Sequence, residues 1–190
     1  MELFNALATF STFLVIAATA TAAMVQLRHM RSANQIESIN HSRQTFESTE
    51  YHTARNFVIT ELAKQWQDAA FRHQVGNRGA RTPVNQVLIT QIMLVANSHE
   101  QLGLLVKRRL IDRVMACDLF SANALAAWEG LAPVTVALRR TSSAAWENFE
   151  YFVVLSQDWL AAHPSGAYPP GVRRITIKDD LREADEQYAA

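Results

Sequence analysis

The chain has 190 residues, 18 Lys and Arg balanced by 18 Asp and Glu, and a single cysteine, Cys117. That length suits one domain with a real core. The lone cysteine excludes an intrachain disulfide and a cysteine metal cluster, and the charge balance lacks the basicity of a nucleic-acid-binding domain.

The first element is the uncharged run from Leu3 to Leu27. As a helix it exceeds the length of about 20 residues needed to cross a bilayer core. Its Ser and Thr hydroxyls can bond carbonyls of their own helix and so are tolerated there. A cleaved secretory signal would place basic residues before the run, whereas here Arg28 and Arg31 follow it and Glu2 is the only charge ahead. A buried core helix would be shorter and apolar on one side. The run therefore reads as a membrane anchor. The positive-inside rule then puts Arg28 and Arg31 in the cytoplasm and the N-terminus outside.

Charge is uneven beyond the anchor. Residues 28–81 hold eight Lys/Arg against five Asp/Glu, and residues 141–190 hold four against eight. A mildly basic membrane-proximal part suits anionic headgroups, although ordinary solvated surface is a simpler account than a specific lipid site.

From Arg28 to about residue 50 the chain is polar and free of Gly and Pro, which predicts a helical stalk. Ile36, Ile39 and Phe46 share one face, but too few heptads are present for a sustained coiled coil. Tyr51, Ala54, Val58, Leu62, Trp66 and Ala69 then keep the spacing of an amphipathic helix, ended by Gly76-Asn77-Arg78-Gly79. Thr82 and Pro83 read as cap and first residue of a second helix, running to about Arg109. Its stripe is Leu88, Ile92, Val95, His99, Leu102 and Val106, broadened by Ile89, Met93 and Leu105. Lys107-Arg108-Arg109 suits the negative end of that helix, which explains these residues more simply than a phosphate-binding patch.

Asp112 reads as the cap of a third helix ending near Glu129, with Val114, Met115, Leu119, Ala122, Leu125, Ala126 and Trp128 expected inside. Gly130 and Pro133 are expected to break it, with a short helix over 134–140 beyond. A last helix over 143–162 carries Trp146, Phe149, Phe152, Val153, Leu155, Trp159 and Leu160, an aromatic density that suggests packing. The Pro- and Gly-containing stretch after His163 cannot continue it. Beyond that lie a weakly alternating piece from Arg173 to Ile177 and a charged, helix-compatible segment from Asp179 to Tyr188.

The expected fold is all-α: a transmembrane anchor (1–27), a polar helical stalk (28–50), a cytoplasmic bundle of about four helices (51–163) and an irregular acidic tail (164–190).

Chemical motifs are sparse. His99-Glu100 begins like the H-E-x-x-H zinc motif, but position 103 is Gly. His99 on the apolar stripe fits a buried, hydrogen-bonded histidine. Cys117 lies in a helix beside apolar residues, with no histidine pointing to it as a base. Asp118, Glu147 and Glu150 are the carboxylates that could line a pocket; the simpler reading is solvated surface, or an ion pair with Arg139 or Arg140. No cofactor, metal site or catalytic residue is assigned.

The order of features resembles a known family. It is carried by Asn56-Phe57-Val58-Ile59-Thr60-Glu61-Leu62, Lys107-Arg108-Arg109-Leu110-Ile111-Asp112, Trp128-Glu129 and Trp146-Glu147-Asn148-Phe149-Glu150-Tyr151. Over about residues 10–160 the chain is similar to short bacterial proteins classed only as a domain of unknown function. The resemblance implies an all-helical protein with one N-terminal anchor and assigns no catalytic residue.

The leading expectation is a non-catalytic accessory or scaffolding subunit in the bacterial inner membrane. Ala17, Ala18, Thr21 and Ala22 give the anchor small-xxx-small spacing, extended by Thr19 and Ala23, which lets helices approach closely in lipid. Its partners would be the lipid bilayer and another membrane protein or a second copy of itself, and no nucleic acid. One alternative is a membrane-tethered enzyme or signalling effector with a pocket near Asp118, Glu147 and Glu150. Another is a homo-oligomer formed through anchor and stalk.

Overall fold

The computed structural model describes residues 1–176, leaving aside the side chains of Leu3, Ala6, Leu7, Ala8 and Arg78. Ile177 and the segment from Asp179 to Tyr188 lie outside the described residues. Among those described, the fold is helical without strands.

Helix α1 (Glu2–Glu47) joins anchor and stalk in one piece. No Gly or Pro interrupts it, and hydroxyls of Thr9, Thr19, Thr21, Ser42 and Thr45 bond to carbonyls four residues back. Every residue from Thr9 to Asn34 is exposed. Burial begins lower down, where Ile39, Ser42 and Phe46 turn inward at helical spacing. The lower stalk is therefore part of the bundle rather than a free spacer, and Ile36 faces outward.

Ser48 ends α1 and caps α2 (Thr49–Asn56), accepting the Tyr51 amide. Phe57–Glu61 form a π-helical segment, and α3 (Leu62–Gln65) completes the rod. Tyr51, Ala54, Val58 and Leu62 point inward as expected, Trp66 is half-buried, and Ala69 is exposed. The expected continuation to Gly76 is broken because Asp68 accepts the Ala70 amide and starts α4 (Ala69–Gly76).

Helix α5 (Pro83–Lys107) begins at Thr82, whose hydroxyl accepts the Asn85 amide. Ile92, Val95, His99, Leu102 and Val106 of its stripe are buried as expected, Leu88 is half-buried, and Ala96 and Gly103 join the inner face. Arg109, at φ 58, turns the chain out of α5. Asp112 then caps α6 (Arg113–Arg139) through the Met115 amide.

Two expectations for α6 need correction. Gly130 and Pro133 do not break it; it runs on to Arg139. A proline inside a helix loses one amide bond and crowds a carbonyl, a cost that burial of Leu131, Val134 and Thr135 offsets. The inner face is also shifted: Ala116, Cys117, Phe120, Ser121, Ala124 and Ala127 are buried, Leu125, Ala126 and Trp128 are half-buried, and Val114, Met115, Leu119 and Ala122 are exposed. Small side chains at Ala116, Ser121, Ala124 and Ala127 let α6 seat closely around Phe120, and Val114, Met115 and Leu119 lie outside.

Helix α7 (Glu147–Ala162) starts four residues later than expected, because Trp146 adopts a left-handed backbone at φ 55. Its inner face is Phe149, Phe152, Val153, Leu155 and Ser156. After His163 the described chain is irregular; the proposed extended piece has no strand partner, and Ile175 is 81% exposed.

Candidate functional site

The core converges on His99. Its ring stacks on Phe149 at 4.6 Å and lies 4.9 Å from Phe46, centroid to centroid. Phe46 touches Tyr51 and Phe120, and Trp128 meets Phe149 edge-on. Residues from α1, α2, α5, α6 and α7 thus share one aromatic cluster. His99 Nδ1 lies 2.9 Å from the Val95 carbonyl, which can only accept, so Nδ1 carries the proton. Nε2 is buried with no hydrogen-bond partner. Burial of the ring holds its pKa at about 4, so it is neutral near pH 7.

Beside it, Asn123 bridges two residues of α2: its amide donates to the Tyr51 oxygen at 3.0 Å, and its carbonyl accepts Arg55 Nε at 2.5 Å. Burial pushes the Tyr51 hydroxyl well above its usual range. Cys117 is 1% exposed, its thiol donates to the Leu155 carbonyl at 3.9 Å, and burial raises its pKa. A raised thiol is a poor nucleophile.

The three candidate carboxylates are not brought together. Asp118, Glu147 and Glu150 are all exposed. Glu147 pairs with Lys107 at 3.3 Å, and Glu150 pairs with Arg139 at 2.8 Å. Glu147 and Glu150 are thus held in separate surface ion pairs. No group of three His, Cys, Asp or Glu able to hold a metal ion occurs among the described residues.

A carboxylate that the sequence offers only within an incomplete zinc motif has the more specific position. Glu100 on α5 accepts the Phe149 amide at 2.8 Å and the Asn148 side-chain amide at 2.7 Å. It caps α7 from another helix, replacing a cap that Trp146 does not supply. Gly103, one turn on, lies so close that a Cβ there would meet the Asn148 carbonyl oxygen at 1.9 Å.

Ala17, Ala18, Thr21 and Ala22 are all exposed on α1, as are Arg28 and Arg31. The Thr21 hydroxyl bonds the Ala17 carbonyl at 2.8 Å, so this face shows little free polarity. By length and composition the helix over Thr9–Glu47 is apolar and long enough to cross a membrane, and its apolar window is not buried by the rest of the chain.

The family "Domain of unknown function (DUF4760)" matches residues 13–156. The chain belongs to the DUF4760 family. The match takes in most of α1 and runs into α7, so the DUF4760 domain here includes the exposed apolar helix as well as the bundle. No curated protein and no solved structure matches the chain.

Proposed function

We propose that this DUF4760 protein is a single-pass accessory or scaffolding subunit of a bacterial inner-membrane complex, without catalysis of its own. Its N-terminus lies outside and its bundle in the cytoplasm, because Arg28 and Arg31 follow the anchor. The observation that carries the reading is the contrast between the two halves. The bundle closes around its own aromatic core, while α1 leaves every residue from Thr9 to Asn34 uncovered. In lipid, the face with Ala17, Ala18, Thr21 and Ala22 suits close packing against a partner helix, from another membrane protein or a second copy.

The test is native electrophoresis and co-purification from membranes in mild detergent. The wild type is expected in a stable assembly larger than the monomer. Ala18→Leu with Ala22→Leu is expected to release it while it remains membrane-inserted. A wild type that runs strictly as a monomer would sink the reading. A partner lost equally on changing Ile36 and Ile39, but not Ala18 and Ala22, would favour association through the stalk.

A further inference from the structure

The turn between α5 and α6 presents an apolar surface that the bundle leaves uncovered. Leu110, Val114 and Met115 are 52%, 56% and 45% exposed. Arg108, Arg109 and Arg113 frame them, all exposed and none in an ion pair among the described residues. The neighbouring Asp112 is engaged with the Met115 amide at 2.9 Å.

The same turn shares a groove with α1. Arg109 and Leu110 line it from one side, and Arg31, Asn34, Gln35 and Ser38 from the other. Along α1, Arg31 and Ser38 lie about 6 Å and 16 Å past Leu27, at about 1.5 Å per residue. The run from Leu3 to Leu27 measures about 37 Å as a helix, against a hydrocarbon core of about 30 Å. Such a helix tilts or extends into the headgroups, and a tilt brings one side of the bundle up to the membrane surface.

Charge and polarity select that side. Cations near an anionic leaflet are attracted to it, and apolar tips between them bury at the interface. Asp118, exposed one turn past Val114, marks where charged surface resumes along α6. Glu37 lines a different groove, with Ala33 and Ile36.

We propose that the α5–α6 turn is a second membrane contact, in which Arg31, Arg108, Arg109 and Arg113 bind the phosphates of anionic lipids and Leu110 dips among the headgroups. The contact rests on α1 being a membrane anchor, and it fixes the direction in which α1 tilts.

The test uses full-length Leu110→Cys carrying an environment-sensitive fluorophore, with buried Cys117 left in place and unlabelled wild type confirming selectivity. The protein is reconstituted into vesicles of phosphatidylcholine alone, or mixed with phosphatidylglycerol. In the mixed vesicles the emission is expected to shift to the blue and to be quenched by lipids bearing a shallow nitroxide. Each of Arg31→Gln and Arg113→Gln is expected to lower the docked-to-undocked ratio about fivefold. Raised salt is expected to do the same without any substitution. Insertion into both vesicle types with an unquenched probe overturns the contact alone. A blue-shifted probe that lipid nitroxides do not reach overturns it in favour of a protein partner on this face. Failure to float with either vesicle, or release by alkaline carbonate, overturns the anchor and the contact with it.

Discussion

Glu100 of α5 accepts the backbone amide of Phe149 at 2.8 Å, so one helix supplies the cap for another. The same carboxylate holds the Asn148 side chain at 2.7 Å, which fixes the first turn of α7 against α5. Phe149 stacks on His99 one residue before Glu100, so cap and core contact act on the same turn. Glu100→Ala is expected to destabilise the protein by about 2 kcal/mol, as loss of a charged cap does. Glu100→Gln, which keeps an acceptor, is expected to cost less. Denaturant unfolding in mild detergent, followed by near-UV circular dichroism, measures both; equal stability of Glu100→Ala and wild type would refute the cap.

Two glycines are fixed by contact rather than by backbone angle. A Cβ at Gly103 would lie 1.9 Å from the Asn148 carbonyl oxygen, and one at Gly130 would lie 2.7 Å from that of Val58. In a free helix, Gly→Ala gains about 1 kcal/mol. Here Gly103→Ala and Gly130→Ala are expected to lose about 1–3 kcal/mol by overpacking, with Gly103→Ala the worse. Gly76, with nothing within 4 Å of its Cβ position, is the control. Gly76→Ala is expected to be neutral or mildly stabilising in the same unfolding measurement.

Burial holds His99 at a pKa of about 4, below its ordinary value of 6.5. Between these values the unfolded chain binds a proton that the folded one does not. The stability tied to neutral His99 is therefore full above about pH 6.5 and is lost as pH falls toward about 4, roughly 3 kcal/mol in all. Below that, His99 contributes no further loss. His99→Leu is expected to flatten this part of the stability–pH curve relative to wild type. Parallel curves for the two proteins between those pH values would contradict a neutral buried ring.

Cys117 is 1% exposed and its thiol is shifted upward by burial. A thiol reagent is expected to label it only as fast as the bundle opens. Labelling should accelerate steeply across the unfolding transition and remain slow below it. Rapid labelling of the folded protein would show that α6 and α7 part locally.

Much of the fold was legible because apolar spacing and caps are local signals. Thr82, Asp112 and the stripe from Ile92 to Val106 required nothing beyond their own neighbourhood. The sequence of α6 misleads because Val114, Met115 and Leu119 resemble an inner face yet are exposed. Its inner face is built largely of small residues around Phe120, and their size matters only once Val58 and the α7 helix are in place. The same holds for Pro133, whose cost within a helix is met by packing that no local pattern encodes. The π-helical segment Phe57–Glu61 falls inside one of the stretches that carried the family resemblance, yet its composition does not announce the extra residue in the turn. Glu100 looked like half of a zinc motif in sequence, and its role as a cap depends on Phe149, which is 49 positions away.

The unbroken α1 also has a register. Thr21 and Ile39 are separated by 18 residues, about five full helical turns, so they stand on the same side of the rod. Ile39 and Phe46 are the residues by which α1 grips the bundle. The small-residue face and the bundle therefore hang from one side of a single shaft. A partner helix seated against Ala17 and Thr21 would emerge from the bilayer directly above the bundle, and rotation of that helix pair would swing the bundle with it.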